Sequence, residues 1–172
     1  MKNTEIFIGT VIKNEKIGEA DMRITLLCTD GVRVFTLTGA QKPAAKLKSA
    51  AQLLTTAEFT VSGHSVIGAY VLQSYPNIVK DIKRYYLACA ICEIVLKVFK
   101  GMTEDCDTGF LLTVKALEKL NSETANLKEV FTKYFTELLQ SLGYDVEPNQ
   151  DINTAYLQNL DISIPNTRFF LT

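Results

Sequence analysis

The hydrophobic period of this chain changes once, at Pro76, and that change rules out one uniform architecture. Before it, apolar residues alternate as half-buried strands require; after it, they recur at helical spacing. In the first segment Ile6, Ile8, Thr10 and Ile12 alternate with Phe7, Gly9, Val11 and Lys13. A polar loop is expected over residues 14–21, then a second strand over about 22–29. Asp30-Gly31 is a tight-hairpin signal, because a type I′ turn needs positive φ at both central residues. A third strand over 32–38 ends at Gly39. Pro43 blocks strand continuation, and residues 44–51 are expected to form a short helix. Two more strands, over about 53–61 and 65–73, are joined by Ser62-Gly63-His64. Five short strands with a helical insert after the third match the OB-fold, a five-stranded Greek-key barrel. An SH3-like barrel would give the same periodicity.

Beyond Pro76, residues 77–99 lack Gly and Pro and are apolar on most faces, so they predict one buried helix. Glu93 and Lys97, four apart with the acid first, mark its wet stripe. Gly101 stops it. Phe110, Leu111, Val114, Leu117 and Leu120 predict a second helix. A third runs from Leu127 through Phe131, Phe135 and Leu139 to Leu142, and ends at Gly143. The expected fold is therefore an all-β OB-fold barrel over residues 1–75, then an all-α helical domain over 76–172 with an irregular C-terminal tail. The class is α+β overall.

Net charge is −1, so composition alone does not announce a nucleic-acid binder. The charges are unevenly placed, however. Residues 1–100 hold thirteen Lys or Arg against eight Asp or Glu, and residues 101–172 hold five against eleven. Such asymmetry points to a basic working end. Met1-Lys2-Asn3-Thr4-Glu5 has no apolar run behind it, so no signal peptide is expected. The most apolar stretch, residues 85–99, is too short and too charged to span a bilayer, and no membrane partner is expected. Cys28, Cys89, Cys92 and Cys106 lack disulfide-framework spacing, which fits a reduced, cytoplasmic setting.

The leading nucleic-acid candidates lie in the run from Arg33 to Lys48. It carries Arg33, Lys42, Lys46 and Lys48, and no acid occurs between Asp30 and Glu58. Phosphates are held by flexible cations on a rigid frame, and the connection after the third strand can supply them. Arg23 and Lys13 extend this surface along neighbouring strands. Single-strand binding also uses stacking platforms. The barrel offers Phe7, Phe35, Phe59 and Tyr70. Phe59 alternates with Ala57 and Val61 and should face inward, while Phe35 shares a strand face with Arg33 and is the stacking candidate. An equally simple reading makes these charges a solvated loop and Phe35 a core residue.

Catalytic and metal chemistry find less support, and neither a catalytic residue nor a cofactor is expected. Cys89-Ala90-Ile91-Cys92 is a C-x-x-C, but it lies mid-helix in an apolar run, where buried inert thiols are expected. His64, the only histidine, belongs to a hairpin loop. No phosphate-cradling glycine motif occurs. Glu104, Asp105 and Asp107 lack the alternation of a calcium loop. An apolar groove between helices could hold a partner peptide, with Lys80, Lys83 and Arg84 at its edge.

Several strings, taken in order, resemble RecO, the bacterial recombination-mediator family. Gly18-Glu19-Ala20-Asp21, followed by Ile24-Thr25-Leu26-Leu27-Cys28-Thr29 and Gly31, is similar to its G-E-x-D then T-L-x-T-x-x-G pattern. Gly39-Ala40-Gln41-Lys42-Pro43 resembles its G-A-R-K-P segment, with Gln41 in place of the arginine. Ser74-Tyr75-Pro76 through Asp81, the helix at Tyr85-Tyr86-Leu87-Ala88-Cys89-Ala90, and Leu142-Gly143-Tyr144 resemble later parts. The resemblance implies an N-terminal OB-fold, a helical domain, and binding of single- and double-stranded DNA. It implies strand annealing and recombinase loading in repair and recombination, without enzymatic activity. RecR and single-strand-binding protein are the partners it implies. The family's four-cysteine zinc module is not expected, since no cysteine follows Cys106, nor is the C-terminal part of a typical member. The competing expectations are a protein adaptor that keeps the fold without DNA affinity, and a redox enzyme resting on the C-x-x-C.

Overall fold

A computed structural model describes residues 4–42, 45–102 and 106–146. Five strands come first: β1 (Thr4–Ile17), β2 (Asp21–Cys28), β3 (Gly31–Leu37), β4 (Thr56–Ser62) and β5 (Ser65–Gln73). They close into a barrel in the order β1-β2-β3-β5-β4. The β3–β5 pair is parallel and the others are antiparallel. This is the OB-like ring expected from the alternation. β1 is long because it serves two neighbours, pairing β4 through its first half and β2 through its second. A register shift between Val11 and Lys13 lets it bend from one to the other. The interior holds Val11, Ile24, Leu26, Leu37, Phe59 and Val61, with Phe59 fully buried as its alternation requires.

Three local expectations change. The polar loop shortens to Gly18–Ala20, because β1 continues through Ile17 and Gly18 takes a positive φ of 54°. At the β2–β3 hairpin Cys28 pairs with Gly31, so the central residues are Thr29 and Asp30. Only Gly31 there has a positive φ, so the mirror-image turn is not formed. Of the helix expected over 44–51, residue 44 lies outside the described residues, and 45–51 form successive turns instead, such as Lys48 N–H to the Ala45 carbonyl at 3.1 Å. The segment is too short to nucleate a helix cheaply, and Ala50 and Ala51 are drawn into the barrel core instead.

The helical segment contains α1 (Pro76–Lys80), α2 (Ile82–Val98), α3 (Asp107–Asn121) and α4 (Leu127–Ser141). The single helix expected over 77–99 breaks at Asp81, which is extended and accepts at its carboxylate from the N–H groups of Lys83 and Arg84. Aspartate favours that capping role over a helix interior. Glu93 and Lys97 pair at 3.8 Å, on the stripe their spacing marked. α3 packs on α4, with Phe110, Leu117, Phe131 and Phe135 buried. The end of α3 is tied to α1 and α2: Asn77 donates its backbone N–H to the Asn121 side-chain oxygen and its side-chain amide to the Asn121 carbonyl, and the Arg84 guanidinium donates to the carbonyls of Leu120, Ser122 and Glu123. The described chain forms two compact units, with Gly101, Met102 and Cys106 grouping with the barrel up to Ser74. The tail beyond Val146 lies outside the described residues.

Candidate nucleic-acid interface

The connection from β3 to β4 leaves the barrel at Leu37 and returns at Thr56, and its lysines project from a held backbone. Ala40 is buried where it departs, and Ala50 and Ala51 are buried before it returns. Asn14 on β1 donates its side-chain amide to the Ala51 carbonyl at 2.9 Å. Lys42, Lys46 and Lys48 are all exposed, and among the described residues none has an ion-pair partner. Pro43 and Ala44, between the first two, lie outside the described residues. Arg23 projects from β2 toward solvent at the same end of the barrel, two residues past the turn that contacts this connection. It faces Glu15 across the β1–β2 ladder. Lys13 also binds Glu15, at 2.8 Å, and holds that carboxyl below its usual value, with Arg23 adding to the effect.

Arg33 and Phe35 sit elsewhere. Arg33 lies near the hairpin end of β3, and its guanidinium is bonded to Asp30 and reaches Glu5 at 3.4 Å. Its cation also stands 5.0 Å over the Phe7 ring. Two carboxylates therefore face this one cation, and the neighbourhood is not basic. Hydrogen bonding to Asp30 raises the Arg33 pKa further. Phe35 is 7% exposed, stacked 5.2 Å from Phe7, and part of the barrel core. A ring this enclosed and stacked on Phe7 packs the barrel instead of offering a face to a base. Of the four barrel rings named from the sequence, Tyr70 is the exposed one, at 70% on β5.

The residues that fix the basic connection were not singled out as a group in the sequence. Gly39 N–H donates to the Asp21 carboxylate at 2.8 Å, and Gln41 N–H donates to the Ala20 carbonyl at 2.9 Å. The Gln41 side-chain amide donates to the Asp21 carbonyl at 2.6 Å. Thus Gly18-Glu19-Ala20-Asp21 and Gly39-Ala40-Gln41 hold each other. The signal was present as two separate turn strings, but nothing in their spacing said that they meet.

The remaining candidates take structural positions. Cys28 is buried, and desolvation pushes its thiol up to about 12. Cys92 is buried with its thiol raised by desolvation, and the half-buried Cys89 shifts the same way. His64 is exposed in the β4–β5 turn, where its carbonyl accepts from Thr36 N–H at 2.9 Å. Asp107 opens α3, while Glu104 and Asp105 lie outside the described residues. No cluster of metal-ligating side chains occurs among the described residues. No described helix is long and apolar enough to cross a membrane. A groove of about 390 Å³ runs along α3 and α4, where Leu112 and Val130 share the lining with Lys115, Lys119, Glu129 and Lys133, so it is not the apolar groove expected. Lys80, Lys83 and Arg84 do not line it, and Arg84 is already spent on the carbonyls that end α3.

Residues 79–165 match the family described as Recombination protein O C terminal. The chain is 28% identical over 149 residues to the DNA repair protein RecO of Dehalococcoides mccartyi, covering 83% of this chain and 58% of that protein. It is 26% identical over 141 residues to the DNA repair protein RecO of Acetivibrio thermocellus, covering 79% and 56%. Its identity to the DNA repair protein RecO of Synechococcus sp. CC9605 is 30% over 124 residues, covering 69% and 47%. The chain thus spans about half the length of the curated relatives it matches.

Proposed function

Since the chain belongs to the RecO family, we propose that it serves DNA repair by holding DNA on the lysine-bearing connection of its barrel. The observation that carries this reading is the set Lys42, Lys46 and Lys48: exposed cations on an anchored backbone, with no acidic partner among the described residues. Arg23, on the same end of the barrel, extends the surface. Cations placed along a loop follow a phosphate backbone without reading bases, so binding should be strong at low salt and indifferent to sequence. Both single and double strands fit such a surface. Tyr70 is the exposed barrel ring on which a base could stack.

The role is one of binding and needs no catalytic group. Strand annealing follows if two strands can be held with their phosphate repulsion neutralised. Recombinase loading, with RecR and single-strand-binding protein as partners in the cytoplasm, is the wider function that family membership supports. The test is a salt titration of oligothymidylate binding by the whole chain. Affinity that falls steeply with salt supports the reading; weak, salt-insensitive binding sinks it and favours a protein adaptor.

A further inference from the structure

The lysine-bearing connection is strung between two anchors of different kinds. The far anchor is mainly apolar: Ala50 and Ala51 enter the core, Leu47 packs against it, Leu54 N–H donates to the Val11 carbonyl at 2.9 Å, and one polar side chain, Asn14, donates to the Ala51 carbonyl. The near anchor adds two polar side chains from separate turns to one backbone bond, Gln41 N–H to the Ala20 carbonyl at 2.9 Å. Asp21 Oδ1 takes the Gly39 N–H at 2.8 Å. Gln41 Nε2 donates to the Asp21 carbonyl at 2.6 Å and lies 3.3 Å from the Gly18 carbonyl. Lys42 N–H then donates to the Gly39 carbonyl at 3.2 Å, so the first lysine follows directly from this clasp. Both polar side chains are turned toward backbone groups. Neither needs to touch a ligand to matter.

We propose that Asp21 and Gln41 are positioning residues for nucleic acid, holding the start of the basic connection in its binding conformation before DNA arrives. The proposal rests on the reading that this connection binds DNA. Its physical content is preorganisation: a loop already ordered does not have to be ordered on binding. Gln41 carries no charge, so loosening the clasp should weaken affinity without changing how many phosphates are neutralised. Affinity and salt slope therefore separate, since the slope counts phosphate contacts. Gln41 stands where the family pattern has arginine. Its structure-given task is donation to carbonyls, which an uncharged amide performs as well.

The test measures anisotropy of labelled oligothymidylate with the whole chain across a salt series. Gln41→Met keeps length and neutrality but removes the donor, and should bind roughly three- to tenfold more weakly at fixed salt with the parental slope. Asp21→Asn and Asp21→Ala lose the same charge, but only Asn keeps an acceptor for Gly39 N–H. The Asn variant should bind roughly threefold or more tighter than the Ala variant, with equal slopes. Amide exchange at Gly39 and Lys42 should quicken in Gln41→Met. Parental affinity in a folded Gln41→Met protein overturns the proposal, as does a flattened slope. Should Gln41→Met fail to fold, the Asp21 pair decides, and equal affinities overturn the proposal. A triple Lys42, Lys46, Lys48→Ala variant separates the failures. If it binds like the parent, the loop reading has failed; if it flattens the slope while Gln41→Met binds like the parent, only the clasp falls.

Discussion

Replacing Lys42, Lys46 and Lys48 together by Ala should weaken DNA binding most where salt is lowest. All three are exposed and lack an ion-pair partner among the described residues, so each is free to neutralise one phosphate. On a single strand each such contact contributes about 0.7 to the slope of log affinity against log salt, so the triple variant should flatten the slope by about 2. Between about 50 and 200 mM salt the parent should then lose roughly twentyfold more affinity than the variant; on duplex, at about 0.9 per contact, the difference approaches roughly fortyfold. Anisotropy titrations at four salt concentrations resolve changes of that size. The barrel should melt as before, because exposed lysines contribute little to folding. Arg33→Met is the control: its cation is already held by Asp30 and Glu5, so the slope should not change. A triple variant with the parental slope would refute the reasoning, and a flattened slope in Arg33→Met would move the site to the other end of the barrel.

Two further predictions concern the scaffold. Gly109→Ala should destabilise the helical unit by about 1–3 kcal/mol in urea unfolding, because the added methyl would overlap the buried Phe99 ring, 2.7 Å from Cε2 and in contact with Cζ. The helix-propensity gain of at most about 1 kcal/mol is smaller, and Phe99→Leu in the same chain should recover part of the loss; a more stable Gly109→Ala would show that the ring yields freely. The Cys28 thiol rises from 9.0 to about 12 by desolvation, aided by Asp30. Between those values the unfolded chain is ionised there and the folded chain is not, so stability present below pH 9.0 is lost as pH rises, at about 1.4 kcal/mol per unit from this group. Cys28→Ala should show a shallower alkaline fall than the parent, and parallel curves would disprove the buried neutral thiol.

The barrel and the helices were legible because period two and period 3.6 are backbone geometries written directly into apolar spacing. Phe59 is the clearest instance: alternation with Ala57 and Val61 places it inside, and it is fully buried. Asp81 shows where the same method fails, since an apolar stripe can continue in sequence across a residue whose carboxylate caps a new helix. The candidate site was legible only in part, for a geometric reason. A run of cations in sequence is a patch in space only if the chain stays in one place. Between Arg33 and Lys42 it does not: β3 advances roughly 3.3 Å per residue, which carries the chain about 13 Å from Arg33 to Leu37. The acid-free run is therefore cut in two, leaving Arg33 among carboxylates at one end and the lysines at the other with Arg23. The opposite error applies to Gln41. In sequence it counts only as a missing positive charge; in the fold its amide closes the turn from which the lysines depart. Charge counts reveal which residues can meet phosphate, whereas the neutral donors that fix where those residues stand become visible only when two distant turns are brought together.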